Sequence, residues 1–179
     1  MKKMMMTFAA VFCCAITVSV FSACGDDDSE QKTDKPVACG VEYMFSVTSQ
    51  DLFKNVNFTI EYYDAEGKVQ SEQMVTELWT DTIQTKLPGK LGVRVKLQLK
   101  DGADPASMDN FNISYFFRYQ AYVLTADGKK KTDDLNAGQP KRTIKGSDVP
   151  KWIEENPIIK AASFGYSFDT DGNYINTGF

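Results

Sequence analysis

The chain has 179 residues, with 20 basic and 24 acidic side chains, no histidine and a formal net charge of −4 at pH 7. Without histidine, serine–histidine and cysteine–histidine nucleophile pairs and the commonest zinc sites are excluded, and the net negative charge argues against a nucleic-acid partner. The chain also has no P-loop and no dinucleotide-binding fingerprint, so we predict no cofactor and no metal site.

Residues 1–24 have the layout of a secretory signal peptide. Lys2 and Lys3 precede an uncharged, mostly apolar run, and the small residues Ser22 and Ala23 close that run as at a cleavage site. An uncharged run of about 18 or more residues can also span a bilayer, which makes a transmembrane anchor the alternative. Polar residues interrupt the run, and this favours the signal peptide.

The end of this segment, Phe21-Ser-Ala-Cys24, resembles the lipobox of bacterial lipoproteins, although Phe21 stands where that motif usually has leucine. In lipoproteins the cysteine of the lipobox becomes the first residue of the mature protein and carries lipid. The resemblance therefore implies that Cys24 is lipidated and that the protein binds the membrane through this N-terminal lipid.

The next six residues, Gly25-Asp-Asp-Asp-Ser-Glu30, resemble the acidic stretch that follows the lipidated cysteine in Bacteroides-type surface lipoproteins. In that family the stretch directs export, so the resemblance implies an export signal formed by Asp26, Asp27, Asp28 and Glu30. It also implies a protein that is lipid-anchored in the outer membrane and faces the cell exterior. The alternative is a tether that only spaces the domain from the membrane, because clustered like charges keep a segment extended and solvated.

We interpret residues 25–38 as an acidic flexible linker, since they carry many charges and no aromatic residue and cannot bury enough apolar surface to fold. Residues 39–179 then make a single domain that is long enough to bury its own core. Cys39 is the only cysteine after Cys24, so no disulfide can form within the domain. We expect Cys39 to be a buried apolar residue rather than a nucleophile.

Four segments of this domain alternate apolar and polar residues, which is typical of antiparallel strands with one face packed on a core. The apolar residues expected to face the core are Val41, Tyr43, Phe45 and Val47; Val56, Phe58, Ile60 and Tyr62; Leu91, Val93, Val95, Leu97 and Leu99; and Phe111, Ile113, Tyr115, Phe117, Tyr119, Ala121 and Val123.

Three short stretches predict hairpin turns. Residues 64–68, 125–129 and 169–173 each place an acidic residue directly before or near a glycine that can adopt positive φ, with strand-like residues alongside. Outside these turns, residues 147–157 predict one short helix, which Ser147 or Asp148 can cap. We expect Trp152 and Ile153 to fix this helix over an open end of the sheets, as core residues rather than a ligand site.

These elements predict an all-β fold: an antiparallel β-sandwich of about seven to nine strands, immunoglobulin-like or related in topology, with one short helix. A small closed β-barrel is the alternative. Both architectures alternate apolar and polar residues along their strands, so the pattern alone does not separate them.

The longest predicted strand suggests a ligand platform. If its odd-numbered residues face the core, Phe116, Arg118, Gln120 and Tyr122 share the outward face. Aromatic faces flanked by hydrogen-bonding side chains suit a sugar-binding or peptide-binding platform. The alternative is that a second layer, formed by a loop at residues 129–144, covers this face.

One further resemblance concerns modification. Asp81-Thr82-Ile83 resembles the Asp-Ser/Thr-apolar acceptor at which Bacteroides-type secreted proteins are O-glycosylated, and this implies Thr82 as an O-glycosylation site. The alternative is that Thr82 is an ordinary hydroxyl of a strand or turn.

We therefore expect a surface lipoprotein that is a non-catalytic binding module for a glycan, a peptide or an envelope protein. The alternative is a structural component of the cell envelope, such as a subunit similar to those of surface fimbriae, which would assemble through an unpaired edge strand. We expect no enzymatic activity, although paired carboxylates for glycoside hydrolysis need only spatial proximity and stay open at this point.

Overall fold

The computed structural model describes residues 34–179, apart from the side chains of residues 133 and 134. The signal segment, Cys24 and the acidic stretch that ends at Glu30 lie outside the described residues, so lipidation and export stay predictions. No helix in the described part of the chain is both long enough and apolar enough to cross a bilayer.

Ten strands and two short α-helices form the described chain. In chain order they are β1 (Pro36–Val47), α1 (Gln50–Asn55), β2 (Val56–Tyr63), β3 (Val69–Gln73), β4 (Leu78–Lys86), β5 (Gly89–Leu99), β6 (Phe111–Thr125), β7 (Lys130–Gly138), β8 (Lys141–Ile144), α2 (Val149–Glu155), β9 (Phe164–Phe168) and β10 (Tyr174–Asn176).

The strands form two antiparallel sheets of five strands each. The first sheet has the order β4-β1-β6-β7, with β8 paired to the beginning of β6, and the second has the order β10-β9-β5-β2-β3. The sheets enclose one hydrophobic core between them, and neither closes on itself. The predicted all-β sandwich is therefore confirmed, and the closed-barrel alternative is wrong.

The period-two pattern places the core as expected. The predicted inward residues of β1, β2, β5 and β6 are buried, except for Tyr62, Leu99 and Tyr115, which are half-buried at the periphery. A fully buried Val, Leu, Ile or Phe side chain contributes about 1.5–3 kcal/mol to the free energy of unfolding. These four strands thus contribute most of the buried hydrophobic side chains that stabilise the sandwich. Their outward residues are held on this packed framework.

All three predicted turns are hairpins. They join β2 to β3, β6 to β7 and β9 to β10, and in each the N–H of the first residue donates to the carbonyl oxygen of the fifth at 2.9–3.0 Å. Their glycines, Gly67, Gly128 and Gly172, have φ values of +76°, +82° and +80°. Glycine suits these positions because a Cβ atom disfavours positive φ.

The boundary between linker and domain differs from the sequence interpretation. β1 begins at Pro36, where Pro36 pairs with Thr125, and the carbonyl oxygen of Val37 accepts a hydrogen bond from the Leu87 N–H at 3.2 Å. Residues 36–38 therefore belong to the sheet and not to the linker. Backbone pairing orders these residues, and it does not depend on apolar side chains.

Residues 129–144 do not form a covering layer. They contain β7 and β8, which pair with β6 and extend the first sheet sideways. β7 was not predicted because its sequence is polar. The described side chains of this edge strand are mostly exposed to solvent, so it does not need to alternate apolar and polar residues.

The predicted helix is α2. Asp148 is its N-cap residue, but the Asp148 side chain makes no capping hydrogen bond, and a 3₁₀ turn at Gly146–Asp148 leads into the helix instead. Ile153 is buried and Trp152 is half-buried against the core, as expected for residues that close the sandwich.

The other helix, α1, was missed. Ser49 caps it by accepting a hydrogen bond from the Leu52 N–H, and Leu52 is fully buried. A serine three residues before an apolar anchor was the available signal.

Candidate functional site

The four predicted platform residues lie on β6 in the first sheet. The odd-numbered residues of β6 face the core. The side chains at the even-numbered positions therefore project from the outward face, as expected for Phe116, Arg118, Gln120 and Tyr122. Arg118 is exposed, while Phe116 and Gln120 are half-buried. The structure keeps these three residues at the surface.

Tyr122 is not part of an accessible platform, because only 1% of it is exposed. Its ring lies over Gly40, the residue directly opposite on β1, where the missing side chain leaves room for it. The Gln84 amide donates to the Tyr122 hydroxyl at 2.6 Å, and the Lys130 ammonium lies 4.3 Å from the ring centroid. Tyr122 is therefore a structural residue, and its expected stacking role is wrong.

The open face of this sheet is formed instead by residues from three strands. Strand register aligns Thr80 with Met44 and Arg118 in one row, and Thr82 with Glu42 and Gln120 in the next. A shallow depression of about 510 Å³ lies over both rows. We define the open face by these six residues: Glu42, Met44, Thr80, Thr82, Arg118 and Gln120.

The charges on the open face are unevenly paired. Glu42 accepts a hydrogen bond from the Lys130 ammonium at 2.6 Å, which raises the pKa of Lys130. Arg118, by contrast, makes no ion pair or hydrogen bond with any side chain that the structure describes. Met44 beside it is 36% exposed. The face thus offers free guanidinium donors next to an apolar surface.

Thr82 lies in the same depression. It is exposed on β4, and its backbone N–H donates to the Asp81 carboxylate at 2.7 Å. A glycan attached to Thr82 would occupy the open face and would therefore compete with a ligand for that surface. Whether Thr82 is modified stays a prediction.

Cys39, the single thiol of the described chain, is fully buried in the core. Burial raises its pKa to about 12, so the thiol stays protonated near neutral pH. The expectation that Cys39 packs as an apolar residue is confirmed.

Among the side chains that the structure describes, no group of three or more Cys, Asp or Glu is arranged to hold a metal ion. The open face carries one carboxylate, one guanidinium, two hydroxyls, one amide and one thioether. Such groups can bind a ligand by hydrogen bonds, charge and apolar contact.

Met44, Thr80 and Glu42 were missed as site residues because they come from β1 and β4. Their contribution depends on strand register, which alternation within one strand does not specify. Comparisons with protein-family models, with curated proteins and with solved structures found no match to this chain.

Proposed function

We propose that this protein is a lipid-anchored binding module of the outer membrane that faces the cell exterior and holds a glycan or a peptide on its open face. The observation that carries the proposal is Arg118, an exposed cation that lies beside Met44 on an uncovered sheet and has no ionic partner in the described chain.

The shape of the open face suits an extended ligand. Its two rows run across three strands, so a chain-like ligand can contact hydroxyl, amide and guanidinium groups in succession. Met44 provides the apolar contact that favours the less polar side of a sugar ring or a peptide side chain. Holding such a ligand needs no bond cleavage.

The test uses the full chain, purified in mild detergent, on an array of defined oligosaccharides and synthetic peptides. We expect at least one class of compound to be retained, and Arg118→Ala to weaken its binding by about tenfold or more, the scale for losing one charged anchor. Lys90→Ala is the matched control, because Lys90 is exposed on β5 of the other sheet. Retention that Arg118→Ala leaves unchanged would place the binding site elsewhere.

An assembly role is the second candidate, and β4 is the observation that favours it. β4 pairs with β1 over nine consecutive positions, while its other edge has no strand partner among residues 34–179. Such a regular edge can accept an added strand. Light scattering of the wild-type full chain and of its Thr82→Pro variant tests this role, because proline removes a backbone N–H from β4. Oligomers that form in the wild type and are lost in the variant would support assembly. A wild-type protein that is monomeric would overturn it.

A further inference from the structure

A second cavity, which we call the lateral pocket, lies between the two sheets at one side of the sandwich. It has a volume of about 300 Å³, at the lower limit for small-ligand sites. Its lining includes the apolar side chains of Leu97, Ile113 and Ile159 from both sides of the core. Residues 157–159 run beside β5, where the Ile159 N–H donates to the Val95 carbonyl oxygen at 2.9 Å.

Arg142 reaches this pocket from β8. It pairs with Ile113, and directly paired residues of antiparallel strands extend to the same side of a sheet. Ile113 faces the core, so the Arg142 side chain also leaves its strand in the direction of the space between the sheets. The next residue, Thr143, extends the other way, as its 3.0 Å hydrogen bond to the Asn112 side chain confirms.

Two more cations line the pocket, and no carboxylate does. Lys141 precedes Arg142 on β8, and Lys160 lies across the pocket at the start of a 3₁₀ turn. None of these three cations forms an ion pair with a residue of the described chain. In a protein with a net negative charge, the lining of this pocket is locally positive.

Two aromatic rings complete the lining. Trp152 of α2 and Tyr115 of β6 are each half-buried, with one side packed on the core. The Tyr115 hydroxyl makes no hydrogen bond with the part of the chain that the structure describes. Burial raises the pKa of Tyr115, so this hydroxyl stays protonated at neutral pH and can donate to a ligand.

We propose that the lateral pocket binds an acidic sugar, a pyranose ring that carries a carboxylate or a sulfate. Trp152 and Tyr115 contact the apolar side of the ring, while Arg142 and Lys160 hold the anionic group. Carboxylate and sulfate both accept paired N–H donors from a guanidinium, so they are two sources of the same recognised chemistry.

This site shares no residue with the open face, and it stands whether or not the proposed function there is correct. An inward charge on an edge strand also discourages wrong strand pairing. That role explains Arg142 alone. It does not require Lys160 on the opposite side of the pocket or an indole ring beside it.

The test is calorimetric titration of the full chain in detergent with three probes: a galacturonate oligosaccharide, a sulfated galactose oligosaccharide and the neutral galactose oligosaccharide of equal length. We expect at least one charged probe to bind at least about tenfold more tightly than the neutral one. Arg142→Ala and Lys160→Ala should each weaken that binding by about tenfold, and Arg142→Lys should restore part of it.

Two controls separate this site from others. Lys90→Ala removes the same charge from the opposite end of β5, seven residues from Leu97, and Arg118→Ala alters only the open face. Both variants should therefore bind the charged probe normally. In the Trp79→Phe protein the remaining indole of the domain is Trp152, and its fluorescence should change on binding.

Three results would each overturn the proposal: equal affinity for the charged and neutral probes, no binding of any probe, or unchanged binding of the charged probe by Arg142→Ala.

Discussion

Glu61 pairs with two cations across neighbouring strands of the second sheet. Its carboxylate on β2 accepts hydrogen bonds from Arg94 and Lys96 on β5, at 2.7 Å from the Arg94 Nε and 3.1 Å from the Lys96 Nζ. Only 13% of the Glu61 side chain is exposed. Burial acts to raise the pKa of Glu61, but the hydrogen bonds from Arg94 and Lys96 outweigh it and hold the pKa below its ordinary value of 4.5.

This interaction predicts a pH-dependent stability. Because the folded-state pKa is lowered, the stabilisation is present above pH 4.5 and is lost as the pH falls through the folded-state pKa. Glu61→Gln should lower the free energy of unfolding by about 1.5–3 kcal/mol at pH 7, the range for hydrogen bonds to charged groups. Urea denaturation from pH 7 to pH 3 should show the difference between variant and wild type shrinking toward acid. A constant difference would contradict this account, and Glu154→Gln, on an exposed residue of α2, is the control.

At the scale of single residues, the sequence predicted which way side chains point but not how exposed they are. Cys39 and the odd-numbered residues of β6 were assigned correctly because strand alternation determines direction. Tyr122 was assigned to the correct face, yet Gly40, Gln84 and Lys130 enclose it. Those neighbours come from three other strands, and only strand register brings them together.

Gly40 makes room for a ring where β1 pairs with β6. A Cβ atom at Gly40 would lie 2.5 Å from the Tyr122 ring, too close for both to keep their positions. Gly40→Ala should therefore displace the ring and lower the free energy of unfolding by about 1–3 kcal/mol, the usual cost of overpacking. Chemical denaturation of the single variants and of Gly40→Ala with Tyr122→Ala measures the coupling. If Gly40→Ala costs as much without the Tyr122 ring as with it, the clash is not the cause.

At the scale of elements, strands with one buried face were predictable and exposed edge strands were not. β1, β2, β5 and β6 lie inside their sheets and show clear alternation. β3 is exposed along its whole length, so its sequence does not alternate apolar and polar residues in the way that indicates a buried face. β9 carried the signal in Phe164, Tyr166 and Phe168, but five residues make only a short pattern.

The open face required more than element prediction. Thr80 and Thr82 join it only because β4 pairs with β1, and β4 has few buried side chains that would reveal it. Arg118 and Gln120 were found from β6 alone. The site was thus predictable where one strand determines it, and not where register between strands does.

At the scale of the whole molecule, the start of β1 and the lateral pocket lie toward opposite ends of β6. Pro36, where the described strand pairing begins, pairs with Thr125 at one end of β6, whereas Ile113 of the lateral pocket lies near the other end. Twelve residues of extended strand span about 40 Å. A lipid at Cys24 would therefore leave the lateral pocket on the part of the domain far from the tether.

The predictions that Cys24 is lipidated and that the following acidic residues direct export can be tested by replacing these residues. Cys24→Ala removes the sulfur atom that would carry lipid, so we expect the protein to lose lipid attachment and to be uncleaved or soluble. Replacing Asp26, Asp27 and Asp28 with alanine should keep the lipid but leave the protein on the inner leaflet. Metabolic lipid labelling and membrane fractionation measure the first change, and external protease measures the second. A Cys24→Ala protein of normal size in the outer membrane would contradict lipidation, and unchanged protease sensitivity would contradict the export signal.

The most direct test of an anchored domain with an open face toward the exterior is thiol labelling of intact cells. Thr80→Cys places one thiol on the open face, while Cys39 is buried and should not react. We expect a membrane-impermeant maleimide to label the Thr80→Cys protein on intact cells and to leave the wild-type protein unlabelled. Labelling that appears only after lysis would contradict the outward orientation, and no labelling of the folded protein in detergent would contradict an open face.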